Sequence, residues 1–186
     1  RITAQLIRIS DGFQLWSETF DGTDADIFAL QEKIARQVTN ELKVALNAGQ
    51  QNRLIDTGTS SAEAYALYLQ ATAIFNRRDF NQYEDAVAAL QKALVLDPNY
   101  ARAYSRLATM YVLLANSSKE PLQSLKEKVL ANAKAASMLN PSLAEPYAAL
   151  GASLEWLPGE LIEQREMFDR ALALDPDDVT SNFWYG

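Results

Sequence analysis

Two arginines, Arg102 and Arg106, are the side chains whose type and spacing most directly suggest chemistry in this sequence. They stand four residues apart, so on a helix both guanidinium groups project from the same face. Such a pair could hold a carboxylate or an acidic peptide through charge-assisted hydrogen bonds. The alternative is a pair of solvated arginines that neutralise nearby acidic side chains. Anion binding is therefore a hypothesis to be weighed against that alternative.

Catalytic and metal-binding chemistry has little support in the composition. The 186 residues include no cysteine and no histidine. Their absence excludes a disulfide framework, a Cys or His zinc site, a thiol nucleophile and a histidine general base. A serine nucleophile would lack a histidine partner, and the seven glycines are scattered and form no phosphate-binding loop. The sequence thus predicts no enzyme, no cofactor and no metal, with an enzyme as a remote alternative.

The charge balance also restricts the partners. A net charge of −7 argues against contact with phosphate backbones, so no nucleic acid is expected as a partner. No apolar run approaches the roughly 18 residues that a membrane span needs, so no membrane contact is expected either. The acidic residues Asp21, Asp24, Asp26 and Glu32 lack the order and the glycine of a calcium-binding EF-hand loop. A polar loop that caps a helix explains them better.

Residues 1–20 are predicted to form a β-hairpin. Asp11-Gly12 stands between two strand-like runs, and this dipeptide favours a two-residue type I′ turn. With that turn, aromatic side chains would pair with β-branched ones across the strands. The predicted pairs are Ile9 with Gln14, Ile7 with Trp16, and Thr3 with Phe20.

A long amphipathic helix is predicted over residues 26–47, because apolar residues recur there at intervals of three or four. Residues 48–60 lose this period and contain two glycines, which indicates a linker. The first 60 residues thus separate into a hairpin, a helix and a boundary segment.

The rest of the chain repeats itself. Ala93, Ala136 and Ala171 each stand five positions before a proline, and these prolines belong to L-D-P-N-Y (96–100), L-N-P-S-L (139–143) and L-D-P-D-D (174–178). Tyr104-x2-Leu107-Ala108-x2-Tyr111 and Tyr147-x2-Leu150-Gly151 precede the second and third of these motifs. Small residues at such positions allow two helices to cross closely, and a proline ends the helix before it.

This pattern resembles the tetratricopeptide repeat (TPR), a helix-turn-helix unit of about 34 residues. The resemblance implies an array over residues 61–186, with units at 64–100, 101–143 and 144–178 and a partial unit at 179–186. The second unit departs from the family pattern, because Val129 and Ala133 stand where alanine and phenylalanine are usual. The expected fold class is mostly α, α+β overall, with a TPR solenoid preceded by the hairpin and the long helix.

The TPR resemblance also suggests where a partner would bind. It places Arg102 and Arg106 at positions 2 and 6 of the second unit, on a first helix that lines the groove of the array. Some chaperone-binding TPRs hold a C-terminal carboxylate with a similar basic pair, together with Lys and Asn at positions 5 and 9 of an earlier unit. This chain has Tyr68 and Thr72 there, so at most half of that clamp is present.

Aromatic residues near the same groove, namely Tyr65, Tyr68, Phe75 and Tyr104, suit peptide recognition. They suit packing between the helices even better, since TPR units use aromatics there. The predicted partner-contact residues are Arg102, Arg106, Tyr65, Tyr68, Thr72, Phe75 and Thr109.

The segments R-I-T-A-Q-L-I, L-W-S-E-T-F-D and D-I-F-A-L-Q-E-K-I-A resemble the end of a β-rich domain related to the amino-terminal domain of TolB. In bacterial multidomain regulators that domain directly precedes TPRs, downstream of a nucleotide cyclase or a winged-helix DNA-binding domain. Residues 1–47 are accordingly expected to be the C-terminal remnant of such a domain, and the chain to be a piece of a longer regulatory protein.

The function expected from the sequence is non-catalytic binding of a protein or peptide, such as an acidic or C-terminal segment, in the groove of the TPR array. The alternative is a structural role in self-assembly or in signal relay between a sensor and an effector domain. Apolar residues on both faces of the hairpin also predict a homodimer through residues 1–20, because a bare strand edge recruits other strands.

Overall fold

A computed structural model describes residues 1–22, 27–41, 57–154, 156 and 161–185. The chain divides into two compact units, Arg1–Ala62 and Glu63–Gly186. Asp24, Asp26, most of the predicted linker and residues 42–47 of the predicted helix lie outside the described residues. The two units are described one after the other.

The first unit contains the predicted hairpin in a different register. Strands β1 (Ile2–Ile7) and β2 (Gln14–Phe20) are antiparallel, with Ile2 opposite Phe20 and Leu6 opposite Trp16. A bulge between Leu6 and Ile7 then sets Ile7 opposite Gln14. The predicted pairing, which matched Thr3 with Phe20, is therefore wrong by one residue.

The turn explains the difference in register. Its loop holds four residues, 9–12, because the Arg8 N–H donates to the Phe13 carbonyl and the Gly12 N–H donates to the Arg8 carbonyl, both at 2.9 Å. The Asp11 carboxylate accepts from the Phe13 N–H at 3.0 Å and from the Arg8 guanidinium at 2.9 Å. Gly12 adopts φ +70°, which favours glycine. Asp11-Gly12 therefore closes a longer turn and does not form the whole of it.

The new register changes which side chains share a face, since a shift of one residue moves each side chain to the opposite face. Trp16 and Phe20 lie on the more buried face, and Phe20 is 2% exposed. Ile7 and Ile9, predicted to share that face, are 51% and 100% exposed. Helix α1 (Ile27–Glu41) packs near β2, with the Lys33 ammonium 5.3 Å from the centre of the Phe20 ring.

All regular secondary structure in the described part of the second unit is helical. A short 3₁₀ turn, Phe80–Gln82, leads into the second of its helices. No described helix has both the length and the apolar character that a membrane crossing requires. The helices are α2 (Ala62–Arg77), α3 (Tyr83–Leu96), α4 (Ala101–Leu114), α5 (Leu122–Leu139), α6 (Glu145–Leu154), α7 (Leu161–Leu174) and α8 (Val179–Tyr185). The predicted class, mostly α with a small β-hairpin, is confirmed.

The same joint follows α3, α5 and α7. Each helix is followed directly by an Asp or Asn that precedes a proline, and these residues are Asp97, Asn140 and Asp175. The N–H of each donates to the carbonyl of an alanine four residues earlier, at 2.8–3.0 Å. Its side-chain oxygen accepts the N–H two residues later, at 3.0–3.2 Å. The repeated motifs of the sequence thus encode one repeated turn, because a short acceptor side chain and a proline stop the helix together.

One hydrophobic core runs through the second unit. The small residues Ala71, Ala108 and Gly151 are buried. A Cβ atom added to Gly151 would lie 3.0 Å from ring carbons of Phe168 on α7, so α6 and α7 approach each other at this glycine. Helix α5 buries Leu125, Val129, Ala133 and Ala136 and packs on α4 and α6. Val129 and Ala133 therefore serve as core residues despite their departure from the TPR pattern.

Candidate functional site

The first helices of successive pairs meet around Arg106. Its guanidinium carbon on α4 lies 4.2 Å from the centre of the Phe75 ring on α2. Its Nε atom lies 3.1 Å from Glu145 Oε1 on α6. We refer to the side chains gathered here as the Arg106 cluster. They are Arg106, Tyr68, Phe75, Ser105, Thr109 and Glu145.

Glu145 is the acidic member of the cluster and stands in the first turn of α6. Its Oε1 atom accepts a hydrogen bond from Thr109 Oγ1 at 2.9 Å, and its Oε2 atom accepts one from Ser105 Oγ at 3.1 Å. The ion pair with Arg106 is mostly buried, since the Arg106 and Glu145 side chains are 13% and 19% exposed. Coulombic attraction in such a place is stronger than at an open surface. Glu145 thus links α4 to α6.

The pKa of Arg106 reflects these neighbours. Burial of the guanidinium would by itself lower its pKa. The charge of Glu145, with smaller contributions from Tyr68 and Asp178, outweighs burial and raises the pKa above its ordinary value. Arg106 is therefore a permanent cation.

Two guanidinium groups lie against the Phe75 ring. In addition to Arg106, the Arg78 guanidinium lies 4.7 Å from the ring centre. Arg78 follows α2 with φ 54°, a left-handed conformation that is uncommon for a residue with a side chain. Cation–π attraction is strongest where water is excluded, as it is on the Arg106 side of the ring. Phe75, predicted as a partner contact, is in this structure a buried platform for cations.

Buried polar atoms of Thr72 and Arg106 lack a hydrogen bond within the part of the chain that the structure describes. Thr72 Oγ1 and Arg106 Nη1 are buried, and no hydrogen-bonding atom in the described part of the chain is placed to pair with them. Arg106 Nε is near Glu145 but is not aligned for a hydrogen bond. A buried donor without an acceptor costs about 1–3 kcal/mol, and more when it is charged. An acceptor oxygen from outside the described residues would remove that cost.

The structure brings together only some of the predicted contact residues. Arg106, Thr109, Tyr68 and Phe75 belong to the Arg106 cluster. Thr72 contributes one of the unpartnered groups, and Arg102 is half-buried one turn before Arg106.

The aromatic residues divide between the site and the core. The Tyr68 ring packs on Tyr100 with ring centres 5.3 Å apart. Tyr65 packs partly against the core, and Tyr104 is half-buried. The sequence favoured packing between helices as the role of these aromatic residues, and core packing thus accounts for some of them.

Sequence reasoning missed Glu145 and Ser105. Glu145 directly follows the joint centred on Asn140, one helix pair beyond the basic pair. The alternative interpretation of the arginines was that they neutralise nearby acidic side chains, and Glu145 is such a side chain. Its pairing with Arg106 could not be predicted without knowing how α4 and α6 align.

The described residues contain no group of three or more acidic side chains arranged to hold a metal ion. Asp21 lies 3.4 Å from the Arg1 guanidinium, and Glu32 pairs with Arg36 at 2.8 Å. These two acids therefore have ordinary ion-pair partners.

Comparison with known sequences finds a repeat family that matches one part of the chain. A family model described as TPR repeat matches residues 77–114. A curated protein of Rhizobium meliloti (strain 1021) named "Putative adenylate cyclase 3" is 33% identical over 108 residues, which make up 58% of this chain and 18% of that protein. The chain thus spans about a fifth of the length of this relative.

Solved structures show the same fold. The first TPR of Spaghetti (RPAP3), bound to the HSP90 peptide SRMEEVD, superposes with a TM-score of 0.51 at 20% identity and covers 68% of this chain and 90% of that one. The TPR domain of Arabidopsis OM64 superposes with a TM-score of 0.50 at 19% identity and covers 65% and 89%. The helical part of the chain therefore has the fold of a TPR solenoid, as the sequence predicted.

Proposed function

We propose that the second unit is a non-catalytic module that binds an extended or helical segment of a protein partner along α2, α4 and α6. The TPR fold supports an interaction module. The partner-contact residues that we propose are those predicted from the sequence. They are Arg102, Arg106, Tyr65, Tyr68, Thr72, Phe75 and Thr109.

One observation carries this proposal, namely the buried and unpartnered hydrogen-bonding groups Thr72 Oγ1 and Arg106 Nη1. Native proteins satisfy nearly all buried polar groups, so an acceptor that reached these atoms would be stabilised. The carbonyl or carboxylate oxygens of a peptide have the required chemistry. Packing already orders the surrounding rings and helices, so little side-chain entropy would be lost on binding.

An acidic segment is the partner that we propose, because α4 bears two cations, Arg102 and Arg106, and the TPR resemblance implies that this helix lines the groove. Replacing both Arg102 and Arg106 with alanine should weaken binding of the acidic heptapeptide SRMEEVD about ten- to a hundredfold, since charge-assisted hydrogen bonds are lost. Isothermal titration calorimetry measures this affinity. The peptide serves as the probe because a protein of the same fold holds it.

A matched control removes the same charge elsewhere. Lys92 on α3 and Lys134 on α5 are exposed and lie on the second helices of their pairs. Replacing both with alanine should leave the affinity for the heptapeptide unchanged. An equal loss of affinity in both double variants would show that the arginines act only through net charge. Unchanged affinity in the arginine variant would rule out their proposed role.

We further propose that the chain is part of a larger bacterial regulatory protein, in which residues 1–47 end a TolB-like domain. Its similarity to one part of a protein named as an adenylate cyclase supports this context. A structural or signal-relay role is the competing proposal, and the exposed apolar surface of the hairpin favours it. Ile7, Ile9, Phe13 and Leu15 are 47–100% exposed.

The hairpin leads to a prediction about self-association. In the described part of the chain its sheet has two strands, so each strand has an edge that pairs with no further strand. We expect residues 1–20 to pair with the same segment of a second chain, because open edges recruit strands. Light scattering should therefore find a dimer for the whole chain and a monomer for a version that starts at Ser60. A monomeric whole chain at high concentration, or a dimeric shortened chain, would contradict this pairing.

A further inference from the structure

We propose that Glu145 fills an anion site of the Arg106 cluster from within, so that a partner's carboxylate must displace it before it can bind there. The proposal rests on the proposed function and deepens it. It makes Glu145 the residue that sets the affinity of the groove for acidic segments.

The groups around Glu145 have the chemistry of a carboxylate receptor. Two hydroxyl groups and a guanidinium converge on its two oxygens, at 3.1, 2.9 and 3.1 Å. Ser105, Arg106 and Thr109 all stand on α4, so one helix presents the complete donor set. The carboxylate comes from another helix, α6, on a side chain with several rotatable bonds. Rotation of the Glu145 side chain is the movement by which we propose that the carboxylate leaves.

The fit of Glu145 to Arg106 is incomplete. Nε lies close to the carboxylate but is misaligned, and Nη1 has no hydrogen-bond partner among the described residues. An external carboxylate is not tied to the backbone of α6, so it can reach the guanidinium in a geometry that Glu145 does not achieve. The Glu145 side chain is 19% exposed, whereas Ser105 and Thr109 are at most 1% exposed, so an external carboxylate would reach the two hydroxyls only after Glu145 had moved.

Removal of the internal carboxylate should therefore create a receptor for a free one. In Glu145→Ala, sodium acetate should raise the melting temperature relative to sodium chloride at the same ionic strength. Acetamide has the same shape without the charge and should give no increase. At an acetate concentration ten times its Kd, the increase should be about 3–8 °C. Circular dichroism during thermal unfolding measures it.

Two proteins serve as controls. The wild-type chain should show no acetate-specific increase, because its site is filled. Glu120→Ala should show none either. Glu120 also pairs with a hydroxyl and a cation, Ser124 and Lys128, but at a more exposed position, with its own side chain 28% exposed. If Glu145→Ala does not fold in chloride, it is refolded in each solute. Recovery of the folded state in sodium acetate but not in acetamide supports the proposal. Recovery in neither of these two solutes overturns it.

The second arm of the experiment uses the acidic heptapeptide. Glu145→Gln keeps the size of the side chain and one of its two acceptor oxygens but removes the competing charge. We expect it to bind the heptapeptide at least tenfold more tightly than the wild-type chain does. An unchanged affinity in folded Glu145→Gln would overturn the role of Glu145 in partner selection. If no variant binds the heptapeptide, the proposed function fails for this probe, and the acetate result decides whether the anion site exists.

Discussion

Phe168→Ala is expected to lower the free energy of unfolding of the helical unit by about 3–5 kcal/mol, the usual effect of deleting a buried phenylalanine. Phe168 is 2% exposed and occupies the space opposite Gly151, with a further ring contact to Tyr185 on α8 at 5.4 Å. Glycine offers no side chain to fill the cavity that the phenyl ring would leave. Urea unfolding followed by circular dichroism measures the loss.

The same contact can be tested from the other side. Gly151→Leu should destabilise the unit by about 1–3 kcal/mol, because a Cβ alone would already meet the Phe168 ring at 3.0 Å. In the double variant the leucine enters the space left by the ring, so the combined loss should be smaller than the sum of the two single losses. Additive losses would mean that the two residues do not share this space.

Leu125→Ala is expected to lower the free energy of unfolding by about 2–5 kcal/mol. The prediction tests the orientation of α5, the helix on which the sequence departs from the TPR pattern. Leu125 is fully buried, whereas Leu130 on the same helix is 55% exposed. Leu130→Ala is therefore the matched control, and its loss should stay within about 0.5 kcal/mol.

Equal losses in the two leucine variants would contradict the described face of α5. A larger loss at Leu130 would mean that the helix is rotated about its axis, with Val129 and Ala133 turned away from the core. Either result would leave the joint centred on Asn140 intact, because that joint depends on backbone geometry at the end of the helix.

The repetitive part of the fold could be predicted because its determinants are local. Apolar periodicity marks the helices, and an alanine four residues before Asp97, Asn140 or Asp175 marks where a helix ends. The small residue Gly151 marked a close approach between helices, although its neighbour Phe168 became known only from the structure.

The register of the hairpin could not be predicted in the same way. Asp11-Gly12 favours a two-residue turn, but the Asp11 carboxylate instead holds Arg8 and the Phe13 N–H across a four-residue loop. The competing turns differ by a few side-chain hydrogen bonds, which dipeptide preferences do not capture. The bulge after Leu6 shifts the pairing once more.

The sequence drew attention to Arg106 but not to Glu145, the carboxylate beside it. Arg102 and Arg106 are visible as a pair because they are close in sequence. Glu145 joins Arg106 from 39 positions away. Contacts between successive helix pairs depend on how the pairs stack, and residue spacing within one pair does not specify that stacking.

Because the three joints have the same geometry, the array can gain or lose a whole helix pair by recombination at them. Their prolines, Pro98, Pro141 and Pro176, are 43 and 35 residues apart. A recombination that joined Asp97 directly to Pro141 would delete one helix pair and still leave an Asp-Pro-Ser-Leu joint of the same kind. The turn itself would need no compensating substitution, so only the new helix-to-helix surface would have to adapt. Duplication or loss of whole pairs is therefore an accessible evolutionary step for this array, whereas a cut within a pair would separate a helix from the partner that buries it.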